Sequence, residues 1–442
     1  MKDQWYWIVF VIVLLIVQAQ CDLSLPEYTS KIIDTGIQNQ GIEHGVPELI
    51  TGEEYQKLTM FMTKEEQADW ESIYEETDDG NYHLTITEDP ERWTEADQEF
   101  QTVILLNASM RKMSEESLQT MTEKMLQAQE SDRDQMIRQM REEMESQTEQ
   151  IGSTMLTSIA ISYAAEEYQA AGGDIHALQR QYLLKTGGKM LALTLLMAAA
   201  AIAAGFLAAR IGAKVGMELR GKVFKKVVTF TNREMDQFST ASLITRSTND
   251  IQQVQMVSTM MLRMLIYAPI LGIGGVIHVL NTGAGMEWII LVAVVTILVF
   301  VGILMKIAMP KFKQMQQKVD GLNLISREIL TGLMVIRAFV REDVEEERFD
   351  EANKDLTKTM LFTNRVMTFM MPVMMLLMNG VSVLIVWVAA NRIDAGVMQV
   401  GTMTAFITYT MQIVMAFLVI CMFSIMLPRA GVATKTEDRK SG

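Results

Sequence analysis

Long apolar runs alternate along the chain with stretches in which charged and polar positions dominate. Six runs approach or exceed the roughly 20 apolar residues that a helix needs to cross a bilayer. The first, Trp5–Val17, is extended by Gln18-Ala19-Gln20-Cys21 towards Leu25-Pro26. Its length suits a signal-peptide core, but no small-residue cleavage site follows and little positive charge precedes it, so it reads as a spanning helix. Gly188–Ala209 is interrupted only by Lys189 and Thr194, and Trp288–Met309 only by Lys306. Met260–Leu280 holds Arg263 and Pro269, Val366–Ala390 holds Pro372 and Asn379, and Val397–Leu427 is long enough to tilt or project. The pattern predicts an all-α membrane protein with six transmembrane helices.

Two of the polar stretches, Arg210–Gln237 and Lys311–Lys358, contain no Pro and few Gly, which predicts spanning helices that run on into water and turn back as long helical hairpins. A third, between the first two spans, is mainly helical by composition from Ala108 to Ala170. There Met110, Met113, Met121, Met125, Met136, Met140 and Met144 fall mostly three or four residues apart or at sums of these. Such a stripe can grip varied apolar ligands; the plainer reading is an apolar stripe packed inside a helical pair, which suits a chain with 37 Met.

Charge separates the same regions. The formal net charge of −14 would argue against a partner such as nucleic acid, but it is an average. Gly36–Tyr182 carries ten Lys/Arg and 31 Asp/Glu, a net of −21, and the remainder is +7. The Arg210–Arg246 stretch holds eight basic residues and Lys306–Arg365 eleven, whereas Asn281–Glu287 has none and Asn391–Gly396 only Arg392. The excess of basic residues on cytoplasmic loops then predicts cytoplasmic termini, with residues 36–185 extracellular. Glu75, Glu76, Asp78 and Asp79 could attract a cation, but a solvated acidic face is the simpler account.

Catalytic motifs are missing. No H-E-x-x-H, G-x-S-x-G or C-x-x-C occurs, and Cys21 and Cys421 both fall in spans. Gly216 to Lys222 fits G-x-x-x-x-G-K, yet Val223 stands where Ser or Thr would hold Mg²⁺, and a spanning helix rather than a strand leads in. The match is a coincidence, and with no second nucleotide motif the chain is not itself an ATPase.

The cytoplasmic stretches carry an identity. Phe238-Ser239-Thr240-Ala241-Ser242-Leu243-Ile244-Thr245-Arg246, with Asn249-Asp250 after it, resembles the first intracellular loop of ABC exporters. Arg327-Glu328, Thr331-Gly332 and Val335-Ile336-Arg337-Ala338-Phe339, followed by Glu342, Glu346 and Arg348-Phe349, resemble the second. Leu25-Pro26-Glu27-Tyr28 leading to Asp34-Thr35-Gly36-Ile37 is similar to the family's first outer junction, and Leu427-Pro428-Arg429-Ala430 to the exit from its sixth span. The resemblance implies the transmembrane domain of a bacterial multidrug-type exporter, in the plasma membrane, that works by alternating access. It implies short coupling helices near Arg233–Thr240 and Ser326–Thr331, with Glu234, Phe238, Ser239, Arg246, Asp250, Arg327, Glu328, Thr331 and Gly332 in the loops that meet an ABC ATPase domain. No cofactor is implied on this chain; ATP and Mg belong to the missing or partner ATPase. The implied partners are a second six-helix subunit, as homo- or heterodimer, that ATPase domain and the lipid bilayer, with no nucleic acid.

Arg246 and Asp250, four residues apart, are expected to pair on one helix face, and Gly332 to let the backbone turn or pack closely. Ala241 stands where the family usually has Gly, only Met1–Gln4 precedes the first span, and the long first loop is a further departure. The division expected is a first span at 1–35, an acidic domain at 36–185, spans two to six at 186–430 with loops at about 210–259 and 306–365, and a polar tail at 431–442. The ends suggest a fragment rather than a stand-alone permease. Polar groups within spans are functional by default, so Asn379 and Gln412, with Phe406, Tyr409 and Met411, are candidates for a substrate path; interhelical hydrogen bonding competes as an explanation for Asn379 and Gln412. A membrane sensor with an extracellular ligand-binding domain is the alternative function, and an intramembrane enzyme lacks a catalytic constellation.

Overall fold

The computed structural model of the chain describes residues 5–111, 135–142, 144, 152–231 and 240–438, the side chains of 88, 240–242, 246 and 423–438 excepted. In it, six helices are long and apolar enough to span a membrane: Trp5–Gln38, Ile175–Val228, Leu243–Asn281, Glu287–Ala338, Glu342–Asp394 and Val400–Met422. The first contains α1 (Trp5–Lys31), the second is α6 (Ile175–Val228), and the third begins within α7 (Thr240–Thr245) and contains α8 (Ile251–Met260) and α9 (Ile266–Asn281). The fourth and fifth are α10 (Glu287–Ala338) and α11 (Glu342–Asp394), and the sixth opens α12 (Val400–Asp438). Helix α12 continues through most of the stretch expected to be a polar tail.

At 1.5 Å per residue, the 54 residues of α6 and the 52 of α10 each extend about 80 Å, more than twice the apolar thickness of a bilayer. The arms beyond the apolar windows are the predicted helical hairpins. Prolines inside these helices have local consequences. Pro269 offers no N–H to the carbonyl of Leu265 and crowds it, and the chain relaxes there into a π-helical turn, Met261–Leu265, just before α9.

The bundle packs through small residues. An added Cβ at Gly275 would lie 2.7 Å from Ile413 Cγ1, and one at Gly274 2.5 Å from Leu23 Cδ1, so these glycines let α9 approach both α12 and α1. Leu23, Leu271, Phe406, Tyr409 and Ile413 are buried at that junction. Gly212 and Gly216 do the same for α6 against Thr259 and Gln255 of α8. Gly216 is the first glycine of the phosphate-loop look-alike; it lies inside α6 and serves helix packing, with no strand before it.

Between α1 and α6 stands a compact unit with its own core. It comprises β1 (Leu49–Ile50), α2 (Gly52–Met60), α3 (Lys64–Ile73), β2 (Tyr74–Glu76), β3 (Tyr82–Leu84), α4 (Pro90–Met110) and α5 (Ser153–Ala170). The strands form an antiparallel sheet, β1-β3-β2, a small addition to the predicted helical composition. Ile50, Leu58, Trp70, Leu84, Phe100 and Ile104 are fully buried. Met110 is buried with them and Met136, Met140 and Met144 pack against them, so among the described residues the Met stripe fills a core; Met113, Met121 and Met125 lie outside the described residues. Glu75, Glu76, Asp78 and Asp79 are exposed.

A buried polar network ties this unit together. The Glu54 carboxylate accepts from Asn107 Nδ2 at 2.8 Å, from the Tyr163 hydroxyl at 3.3 Å and from Arg111 Nε at 3.1 Å. Arg111 also pairs with Glu167, whose carboxylate accepts from the Thr51 hydroxyl, and its guanidinium lies over the Tyr163 ring. Burial, followed by the nearby carboxylates of Glu54 and Glu167, pushes the Tyr163 hydroxyl far above its ordinary value. Asn107, the one residue of Asn107-Ala108-Ser109 that could carry a glycan, is consumed by this network. A second pair, Arg141 with Glu66, is bidentate at 2.7 Å on both arms. Burial raises the Glu66 pKa, but the Arg141 and Thr63 hydrogen bonds outweigh it and leave the carboxyl below the usual range.

The unit sits on the bundle. Met155 N–H at the start of α5 donates to Gly396 O in the turn between α11 and α12 at 3.0 Å. A Cβ at Gly152 would collide with the backbone of that turn.

Removing one member of a buried charge network leaves the others uncompensated, so Arg111→Ala should cost this unit roughly 3–5 kcal/mol, read by urea unfolding of the chain. Because the Glu66 carboxyl titrates below 4.5 in the fold, its stabilisation is complete above that pH and is lost as pH falls through the depressed value. Glu66→Gln should therefore flatten the acid limb of a stability profile measured between pH 6 and 3.

Candidate functional site

Two regions hold the residues singled out from the sequence. The first is the far end of the α10–α11 hairpin. Residues Ser326–Thr331 lie within unbroken α10, with no separate short helix there; the chain reverses later, at Phe339–Arg341, where Val340 takes a left-handed backbone with φ 54°. The expected coupling helix gives way because nothing after Pro310 breaks the α-helical run before Phe339. Gly332 neither turns the chain nor packs closely: a Cβ there would meet nothing within 4 Å.

Arg327 and Thr331 are exposed, and Glu328 forms an ion pair with Arg348 of α11 at 2.8 Å. Both partners are about half exposed, so water screens the pair and it orients the two helices more than it stabilises them. Around it, Leu330, Met334, Val335 and Phe339 are all more than 60% exposed. A cleft of about 390 Å³ beside them is floored by Ile329, Leu333 and Ile336 and edged by Glu342 and Glu345. An apolar patch of this kind on a water-facing helical tip is the mark of a protein contact.

At the other arm, Glu234, Phe238 and Ser239 lie outside the described residues. Arg246–Asp250 is a π-helical turn, so the α-helical i, i+4 spacing assumed for the pair does not hold; the Arg246 side chain lies outside the described residues and that of Asp250 is exposed.

The second region is the junction of α1, α9 and α12. Phe406 and Tyr409 are fully buried there, with Tyr409 stacked on His278 at 5.5 Å, while Met411 is half-buried. Asn379 is exposed on α11 and is not brought to this junction. Gln412 is, and its amide donates to Asp22 of α1, at 3.3 Å to the backbone oxygen and 3.4 Å to the carboxylate. The Tyr267 hydroxyl of α9 donates to the same carboxylate at 2.8 Å. Asp22 and Tyr267 were not singled out from the sequence, although an acid beyond seventeen residues of largely apolar helix is the signal that marks such sites.

A second acid of the first span joins it to the sixth. The buried Asp34 accepts from Gly401 N–H at 2.6 Å and from the Ser30 hydroxyl at 3.0 Å. It thus caps the first turn of α12, where a negative charge is favoured by the helix dipole. A Cβ at Gly401 would collide with this carboxylate and with the Ser30 carbonyl.

Six spans and helical arms far longer than a bilayer is thick define a class: a multi-pass membrane protein whose spanning helices run on well beyond the lipid. Residues 136–417 match the family model of the ABC transporter transmembrane region, and the chain belongs to that family. It is 38% identical over 253 residues to an uncharacterized ABC transporter ATP-binding protein of Mycobacterium bovis, covering 57% of this chain and 44% of that protein. It is 33% identical over 227 residues to another of Bacillus subtilis, covering 51% and 40%. An ATP-dependent lipid A-core flippase of Pseudomonas fluorescens is 26% identical over 196 residues, covering 43% and 31%. The chain spans less than half the length of these curated relatives. The match favours transport over the sensor reading.

The Asp34 cap is testable on its own. Asp34→Ala should lower stability by about 1 kcal/mol, the usual worth of a helix N-cap, with Asp34→Asn recovering most of it in a thermal melt of the detergent-solubilised chain.

Proposed function

We propose that the chain forms the membrane-spanning half of an ABC exporter, in which ATP hydrolysis in bound ABC ATPase domains drives substrate outward by alternating access. The observation that carries this reading is the exposed apolar tip of the α10–α11 hairpin, Leu330, Met334, Val335 and Phe339, set at the end of a 52-residue helix. Such a helix is a stiff lever: displacement at its tip reaches the membrane without loss in a flexible loop. ATP and Mg²⁺ would be held by the ATPase domains, and closure of those domains would favour one of two bundle arrangements through its differential contacts with the tips.

The basic residues of the arms support a cytoplasmic position for the tips and both termini, and the acidic unit between α1 and α6 then faces outside, in a bacterial plasma membrane. A second six-helix subunit fits the apolar flank of α10 and α11, where Leu291, Val295, Leu298, Phe369, Met375 and Leu376 are exposed at bilayer depth. An amphipathic substrate suits the combination of this apolar surface with the polar junction at Asp22 and Gln412.

In vesicles carrying the chain together with ABC ATPase domains, ATP should drive vanadate-sensitive movement of a fluorescent amphiphile. Replacing Leu330 and Met334 by Asp should cut that movement at least tenfold while leaving the acidic unit folded. ATPase activity indifferent to the chain, with no movement of any amphiphile, would refute the proposal.

A further inference from the structure

The seam between α10 and α11 opens where the two spans give way to the arms. Phe300, Ile303 and Ile307 of α10, with Phe362, Arg365 and Phe369 of α11, line a groove of about 500 Å³ there, within the roughly 300–1,000 Å³ range in which pockets hold an organic ligand. At 3.6 residues per turn, Phe300, Ile303 and Ile307 fall on the opposite side of α10 from Leu291, Val295 and Leu298. On that helix the groove is therefore separate from the flank assigned to a second subunit. Its depth follows from the apolar runs. Ile307 lies just before the end of Trp288–Met309 and Arg365 immediately precedes Val366–Ala390, so the groove starts at the headgroup layer and continues into hydrocarbon.

Charge is one-sided at its mouth. Between Glu287 and Asp320, α10 has no acidic residue, and between Asp355 and Asp394, α11 has none, yet Lys306, Lys311, Lys313 and Arg365 gather at the boundary. Asp355, the nearest acid to Arg365 on α11, is taken by Lys318. Among the described residues, none of the four cations pairs with an acid. Arg365 is exposed on the groove, and Lys311 Nζ lies 5.6 Å from the centre of the Phe362 ring that forms its wall. Two cations without counter-ions thus stand over an apolar trough that enters the membrane. A free inorganic anion would meet the cations and leave the trough empty, whereas a zwitterionic lipid would fill the trough and bring a cation of its own to theirs. An anionic phospholipid satisfies both.

We infer that this groove binds one anionic phospholipid, its phosphate held by Arg365 and Lys311 and an acyl chain laid against Phe300, Ile303, Ile307 and Phe369. The guanidinium of Arg365 offers the planar fork of donors that matches phosphate oxygens, and Lys311 adds a point charge. The lipid is a resident ligand of the hairpin rather than cargo. Its binding rests on the membrane position of the spans and needs neither ATP nor an ATPase domain.

The test is titration of phosphatidylglycerol and of phosphatidylcholine into the full chain in a neutral detergent, with bound lipid counted by native mass spectrometry. Phosphatidylglycerol should bind at least tenfold tighter, and millimolar inorganic phosphate should not displace it. Each Lys or Arg at an anionic lipid surface contributes roughly fivefold to affinity, so Arg365→Gln and Lys311→Gln should each weaken phosphatidylglycerol by about that factor. Arg365→Lys should stay within about twofold of the parent, and Arg337→Gln, the same loss of charge at the far end of α10, should have no effect. Ile307→Trp, which fills the groove without altering charge, should also weaken phosphatidylglycerol, and melting temperatures without added lipid should match the parent's. Equal affinity for the two lipids, displacement by phosphate, binding indifferent to Arg365→Gln, Lys311→Gln and Ile307→Trp, or a stable dimer of the chain that excludes the lipid would each overturn the assignment. Because no transport is measured, failure here and failure of ATP-driven movement are separate results.

Discussion

Helices already immersed in lipid gain little by exchanging tail contacts for one another, so their association depends on shape and on the few polar groups they share. In this bundle both conditions meet where α1, α9 and α12 converge. Gly274 and Gly275 remove the bulk that would hold the helices apart, and the space is taken by Leu23 and Ile413. Asp22 and Asp34 then tie α1 to its neighbours at two depths, the first through Tyr267 and Gln412 and the second through the first turn of α12. The other spans pack around this three-helix contact: α6 lies on α1 through Leu15, Leu207 and Ile211, and the α10–α11 hairpin joins the rest through Ile289, Ile385 and Ala389 and, further along, Ile297, Met374 and Val414.

The hairpin is correspondingly less embraced by its own chain. Its apolar side chains at bilayer depth face outward along much of their length, while its distal half is held by exposed pairs, Lys318 with Asp355 and Arg348 with Glu328. Surface pairs of this type orient two helices more than they stabilise them. A hairpin stiff along its axis and buried at its base through Ile289, Ile290, Ile385 and Ala389 is mechanically suited to move as a unit about that base. The acidic unit grips the opposite end of the bundle through the Gly152 and Met155 contact with the 395–399 turn, so motion of the spans at that turn is passed to it directly.

The spans and their extended arms were legible in the sequence because both signals are local: apolar run length, and the absence of Pro and Gly from long polar stretches. The phosphate-loop look-alike was legible as a coincidence for the same reason, since a spanning helix leads straight into it. Three features were not. The site of chain reversal at Phe339–Arg341, rather than near Ser326–Thr331, depends on where a uniformly helical sequence gives out, which no single residue marks. The three-stranded sheet is built from strands of two or three residues, too short to show alternation. The Asp22 junction joins residues 245 and 390 positions apart, so that only the acid itself could have drawn attention.

The Asp34–Gly401 contact also bears on how the chain is made. Its partners are 367 residues apart, one at the end of the first of the six spans and the other at the start of the sixth, which is translated later. At roughly 5–20 residues per second, translation separates them by about 20–70 s. Throughout that interval two carboxyl groups of the first span have none of their final partners from α12. The sixth span therefore acts as the clasp of the bundle: until Gly401 and Gln412 are made, the acid-bearing first helix has none of the donors that hold it to α12.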